Sequence, residues 1–216
     1  LAAAGEDHYI GKHAGTEPSP GRWDHPMAKF EGRQYDGWAM SASGYAAVWA
    51  TENTREALWD AMMRKEVYAT TGPRIIVRFF GGWDFTDEDA SSRLPAEAGY
   101  TKGVPMGGEL NSAAEGQAPR FLVAALKDPM SGNLDRIQIV KGWLDSKGDT
   151  HEKVYNVAWG DADRRSQDAE AKLPPDGNTD DYANATWTKT NADHENIKVR
   201  EDPDLDPEVP AIYNAQ

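Results

Sequence analysis

From residue 119 onward the chain alternates apolar and polar positions with a period of two, and this pattern constrains the fold more than any other feature. Phe121 to Leu126 reads as a strand, and Asp128-Pro-Met-Ser-Gly-Asn133 as the loop that follows it. Arg136, Gln138 and Lys141 interleave with Ile137, Ile139 and Val140, the pattern of a strand with one wet face. Asp145 to Asp149 is a polar turn, and Val154, Val157 and Trp159 belong to a third strand. Strands this close together, with turn signals between them, predict an antiparallel sheet forming half of a small sandwich.

Upstream the period changes. Asn53 is a suitable N-cap, Glu56 sits where a capping carboxylate would, and Ala57, Leu58, Ala61 and Met62 recur at helical spacing. Arg64 and Lys65 fall where cations suit the negative end of a helix dipole, so a helix is predicted over 53–65. Residues 44–50 suit a buried strand or the lead-in to that helix, and 67–70 a short β-branched strand. After the Thr71-Gly-Pro73 turn, residues 74–80 form a second strand, which Gly81-Gly82 is expected to end.

The remaining stretches carry less pattern. Residues 1–50 are rich in Gly and aromatics, with prolines that keep them extended or turning. Residues 83–118 read as a long acidic excursion with a turn at Gly107-Gly108. Residues 161–209 hold 14 acidic and 6 basic residues, a net of −8 out of −13, and read as a mostly irregular tail with strand character only at 183–188. The expected class is α+β and β-rich: an N-terminal α/β part over 1–72, an antiparallel β domain over 73–160, and an acidic tail over 161–216 that packs on it.

Composition excludes several functions. A net charge of −13 argues against a nucleic-acid partner, which needs a basic face. Zero Cys removes disulfides, thiol catalysis and Cys-ligated zinc. No apolar run reaches the length of a membrane span, so the chain is expected to be soluble, in cytoplasm or periplasm alike. It opens on Leu1 without Met or a signal-like segment, which reads as a piece of something longer.

Few residues suggest chemistry. His8 and His13 flank Lys12, with Glu6 and Asp7 adjacent; carboxylate and imidazole together suit zinc, manganese or iron, and the Lys suits an anionic substrate. The competing reading is ordinary loop residues. Arg74 follows a Gly-Pro turn and could clamp a phosphate or carboxylate, or make a structural ion pair. Asp202, Asp204, Asp206 and Glu208 alternate like a calcium loop, but the Gly such a loop requires is missing and prolines interrupt it, so a solvated acidic segment is expected. The eight Trp are scattered, which favours packing over a carbohydrate platform.

The segment 50–75, which contains Tyr68-Ala-Thr-Thr-Gly-Pro-Arg74, is long and specific. With Tyr9-Ile-Gly-Lys-His-Ala-Gly15, Gly103-Val-Pro-Met-Gly-Gly108, the strand at 133–143 and Ala183-Asn-Ala-Thr-Trp-Thr188, it resembles a large bacterial family of unknown function, domain-of-unknown-function family 3604. That family is similar to the metal-dependent hydrolases of the polymerase-and-histidinol-phosphatase type. The resemblance implies a C-terminal fragment, with 1–72 the remnant of the hydrolase barrel. The divalent metal would be held by motifs upstream of Leu1, with none expected in this chain itself. It implies a small-molecule or phosphoester substrate approached by Lys12, His13, His8 and Arg74. Glu6 and Asp7 are the weak metal candidates. Relatives often carry Asn at the position of His8, which shifts the expected contact toward Lys12 and His13. The implied activity is phosphoester hydrolysis by the parent and none by the fragment alone; the alternative is a non-catalytic β-rich binding module. Loss of the barrel would bare the 53–65 helix face and the 44–50 segment, so either a homodimer through this region or a different packing of residues 1–50 is expected. The resemblance departs from the family pattern at 191–201.

Overall fold

Two phenylalanines in succession, Phe79 and Phe80, organise the larger part of the fold, because neighbours on a strand point to opposite faces. The structure is a computed structural model, and it describes residues 26–36, 44–111 and 116–216. The chain divides into two compact units, one of residues 1–47 and 68–74, the other of 48–67 and 75–216.

In the first unit, β1 (Pro26–Phe30) and β2 (Arg33–Asp36) form a hairpin in which Phe30 pairs with Arg33. Glu31 and Gly32 between them both have positive φ, 48° and 77°, as a two-residue turn matched to strand twist requires. β3 (Tyr45–Val48) pairs with β4 (Val67–Thr70) in a second two-stranded sheet, close to the predicted strands.

The second unit opens with α1 (Arg55–Met63). Its cap is Thr54 rather than Asn53: the Thr54 hydroxyl accepts from the Ala57 N–H, and Arg64 is already the C-cap. Ala61 is buried, whereas Met62, expected on the apolar face, is exposed alongside Trp59 and Met63.

Two antiparallel sheets follow. The four-stranded sheet has the order β12-β7-β5-β6, from β5 (Ile76–Gly82), β6 (Gly103–Pro105), β7 (Arg120–Leu126) and β12 (Glu195–Glu201). The three-stranded sheet has the order β13-β8-β9, from β8 (Arg136–Leu144), β9 (Thr150–Trp159) and β13 (Ala211–Ala215). The chain is thus β-rich with antiparallel sheets. A small hairpin, β10 (Asp180–Asp181) with β11 (Thr186–Trp187), stands apart from both sheets.

Phe79, Phe121, Val123 and Ala125 from the first sheet meet Ile137, Ile139 and Val157 from the second in one apolar cluster. Burying a side chain of this kind contributes roughly 1.5–3 kcal/mol. On the opposite face Phe80, Leu122 and Val199 pack with Phe85. That face is covered by α2 (Asp87–Ala90) and α3 (Pro95–Lys102), whose Ala90, Ala96 and Ala98 pack against the cluster. Lys102 Nζ holds both carboxylate oxygens of the buried Asp89, at 2.7 and 2.9 Å, and ties the two helices together.

Four expectations differ from the fold. Residues 83–118 are not an excursion, because α2, α3 and β6 lie within them and close the first sheet. β5 ends at Gly82 rather than at residue 80, since Gly81 and Gly82 are both still paired with β6 and β7. The acidic 161–216 stretch is not mostly irregular in its last third: β12 and β13 each complete a different sheet. Strand character at 183–188 is confined to Thr186 and Trp187 of β11. The part from 161 to 175 is fixed by Arg165, which is buried and donates to the carbonyls of Pro174 and Gly160 and to Asp135 Oδ1. Sequence charge alone does not reveal that these segments carry the pairing that the open edges of β7 and β8 require.

Candidate functional site

The sharpest backbone feature of the second unit is a close approach between two left-handed residues. Lys65, just past α1, has φ 61°, and Gly107, just past β6, has φ 82°. A Cβ on Gly107 would stand 2.4 Å from Lys65 Cβ and 2.6 Å from the Arg64 carbonyl oxygen. Only glycine fits here, on both conformational and steric grounds. The turn is pinned by Met106 N–H donating to the Phe79 carbonyl and Gly108 N–H to that of Pro105, each at 2.9 Å. A Gly107→Ala variant is expected to lose about 1–3 kcal/mol, read as a lower urea midpoint at unchanged slope.

This turn forms one wall of a cleft of about 770 Å³, within the range of small-molecule sites. Phe79, Trp83, Met106, Phe121 and Tyr213 supply its apolar surface. Lys65, Glu109, Asp206 and Glu208 supply charge, three carboxylates against one ammonium, which suits a neutral or cationic organic group better than a free phosphate.

Behind Tyr213 lies a network that links the two sheets. The Asp202 carboxylate, fully buried, accepts from Lys141 Nζ and from the Tyr213 hydroxyl, each at 2.6 Å, and from the Asp204 N–H at 3.0 Å. Lys141 also donates to the Asp204 carbonyl at 2.7 Å. The Tyr155 hydroxyl stands between Asp202 and Asp204, 3.1 and 2.8 Å from their oxygens, and Lys153 holds Asp204 from outside at 2.6 Å. Burial acts to raise the Asp202 carboxyl, but the bonds from Lys141 and Tyr213 outweigh it and hold it below its usual value. Burial and the Asp204 and Asp202 carboxylates push Tyr155 well above the ordinary phenol range, and burial and Asp202 do the same to Tyr213. The network neutralises charge inside the sandwich and fixes the Tyr213 side of the cleft.

The 202–208 segment is therefore not a solvated acidic run at its start, since Asp202 is among the most buried residues of the chain. Lys141 is likewise not on a wet face, for it shares the inward register of Ile137 and Ile139. A Lys two positions beyond two inward isoleucines is the signal that could have revealed it.

Of the expected site residues, Glu6, Asp7, His8, Lys12 and His13 lie outside the described residues. Arg74 is exposed in the first unit, with its guanidinium 5.8 Å from the Tyr45 ring centroid. Among the described residues no group of three or more His, Cys, Asp or Glu could hold a metal ion. No described helix is long and apolar enough to cross a membrane.

The Gly103-Val-Pro-Met-Gly-Gly108 stretch and the 50–75 segment, which bear the family resemblance, meet at the Lys65–Gly107 contact. Residues 1–216 match the family described as "Protein of unknown function (DUF3604)", and the chain belongs to that family. No curated protein and no solved structure matches it.

Proposed function

We propose that the chain is the C-terminal portion of a metal-dependent hydrolase of the polymerase-and-histidinol-phosphatase type, and that its β-rich part is an organic-group-binding module. The observation that carries the reading is the cleft walled by Lys65, Gly107 and Tyr213, whose mixed aromatic and acidic lining suits the organic portion of a phosphoester. The zinc, manganese or iron of such an enzyme would be held outside the described residues, among which no group of metal-ligating side chains gathers. The approach of Lys12, His13 and His8 to the substrate belongs to the same proposal.

The test compares this chain with the longer parent for bound metal and for phosphomonoesterase and phosphodiesterase activity. Stoichiometric metal and activity in the parent, with neither in the 216-residue chain, is the expected result. Tight metal binding by the 216-residue chain would refute upstream ligands, and a parent indifferent to chelators would refute the hydrolase.

A further inference from the structure

Loops at 130–133, 176–180 and 187–191 of the second unit enclose a separate cleft of about 460 Å³. Asn133 fixes its frame. The Asn133 amide donates to the carbonyls of Lys189 and Asn191 at 3.0 and 2.8 Å, while its oxygen accepts from Lys127 Nζ at 2.8 Å. Lys189 Nζ donates to the Ser131 carbonyl at 2.8 Å, which anchors the third loop to the first. Asn191 donates to Asp176 Oδ2 at 2.9 Å and so leaves Oδ1 of that carboxylate for a ligand. Walls tied in this way need little ordering when something binds.

One wall is aromatic. Trp187 lines the cleft with 61 % of its surface exposed, and the β10–β11 pairing sets it directly across from Asp180. An indole open to water beside carboxylates, with Lys189 Nζ 5.7 Å from its ring centroid, suits a ligand with an apolar face and a polar rim. Tyr182, 82 % exposed, accepts from the Asn178 amide at 2.8 Å and adds a second ring beside the cleft.

We propose that this cleft binds a neutral carbohydrate, with a pyranose C–H face laid on the Trp187 ring and its hydroxyls held by Asp176 and Asp180. The carboxylates of Asp176 and Asp180 outnumber the single Lys189 ammonium, and this net negative charge disfavours phosphates and polyanions. The polar majority of the lining equally disfavours a lipid chain. Trp187 thus departs from the packing role expected of the tryptophans, and, unlike the equally exposed Trp59, it lines a cleft. The site is independent of the hydrolase reading and stands or falls without it.

The experiment titrates the 216-residue chain with neutral manno-, gluco- (α- and β-linked), xylo- and N-acetylglucosamine oligosaccharides, read by tryptophan fluorescence and calorimetry. At least one series is expected to bind, with Trp187→Ala and Asp176→Asn each weakening it about tenfold or more while circular dichroism stays unchanged. No binding by any series at millimolar sugar overturns the proposal. Binding that survives both substitutions at full strength does so as well.

Discussion

Replacing Asp202 with alanine is expected to destabilise the second unit by about 3–5 kcal/mol, the cost of stranding a buried cation. Lys141 is almost fully buried, and without Asp202 its ammonium keeps the Asp204 carbonyl at 2.7 Å and the Trp143 and Tyr213 rings but no carboxylate hydrogen bond. Lys141→Met is expected to cost a similar amount by stranding the carboxylate instead. The double replacement Lys141→Met with Asp202→Leu should recover much of the loss, because a well-packed apolar pair has no desolvation penalty to offset. Urea titrations of these proteins and of Asp202→Leu alone close the cycle, and additive losses for Lys141→Met and Asp202→Leu would refute a coupled pair.

The same network sets a dependence on pH. The Asp202 carboxyl sits below its unfolded value, so the folded state binds that proton less readily. Its stabilisation is complete above about pH 4 and is lost as acid takes the pH through the folded value. Tyr155 and Tyr213 are shifted upward, so their contribution holds below about pH 10 and declines above it. The double variant should therefore lose less stability than the natural chain between pH 7 and pH 3.

Phe80→Ala is the second large effect, at about 3–5 kcal/mol. The ring is 1 % exposed and meets Tyr100 edge-on, with centroids 5.1 Å apart. It also fills the space over Gly99 of α3, where an added Cβ would come within 2.5 Å of the ring. Removing the ring takes away the surface on which α3 rests, and the chain cannot collapse into the gap without moving a helix that Asp89 and Lys102 hold in place. A thermal midpoint lower by roughly 10 °C is expected. Phe80→Leu, which keeps most of the volume, should lose far less, and equal losses for both variants would argue against a cavity.

Much of the sheet was legible because period-two alternation is a local property. β7, β8 and β9 stand close to where Phe121, Ile137, Ile139 and Val157 put them, and α1 is capped one residue later than expected and ends two residues sooner. What escaped was non-local. β12 reads as an acidic segment until its pairing with β7 is known, and Asp202 reads as solvated until Lys141 reaches it from the other sheet. The Thr86–Asp89 capping box that starts α2 was available in the sequence but was hidden within an acidic stretch. The Lys65–Gly107 wall depends on two positive φ values, of which only the glycine's has a signature in sequence. The residues expected to touch substrate lie mainly in 1–25, beyond the described part, and Arg74 stands by Tyr45.

The order in which the strands are made bears on how the sandwich is born. β12 joins the first sheet through partners such as Arg120 and Glu201, 81 positions apart, and β13 closes the second beside β8. A chain leaving the ribosome therefore carries β7 and β8 as open edges until residues 195–215 emerge. Until then the two sheets lack their outer strands and the Asp202 clasp between them. Completion of both sheets therefore waits for the last strands, and a ribosome stalled before that point displays two strand edges open to pairing with other chains.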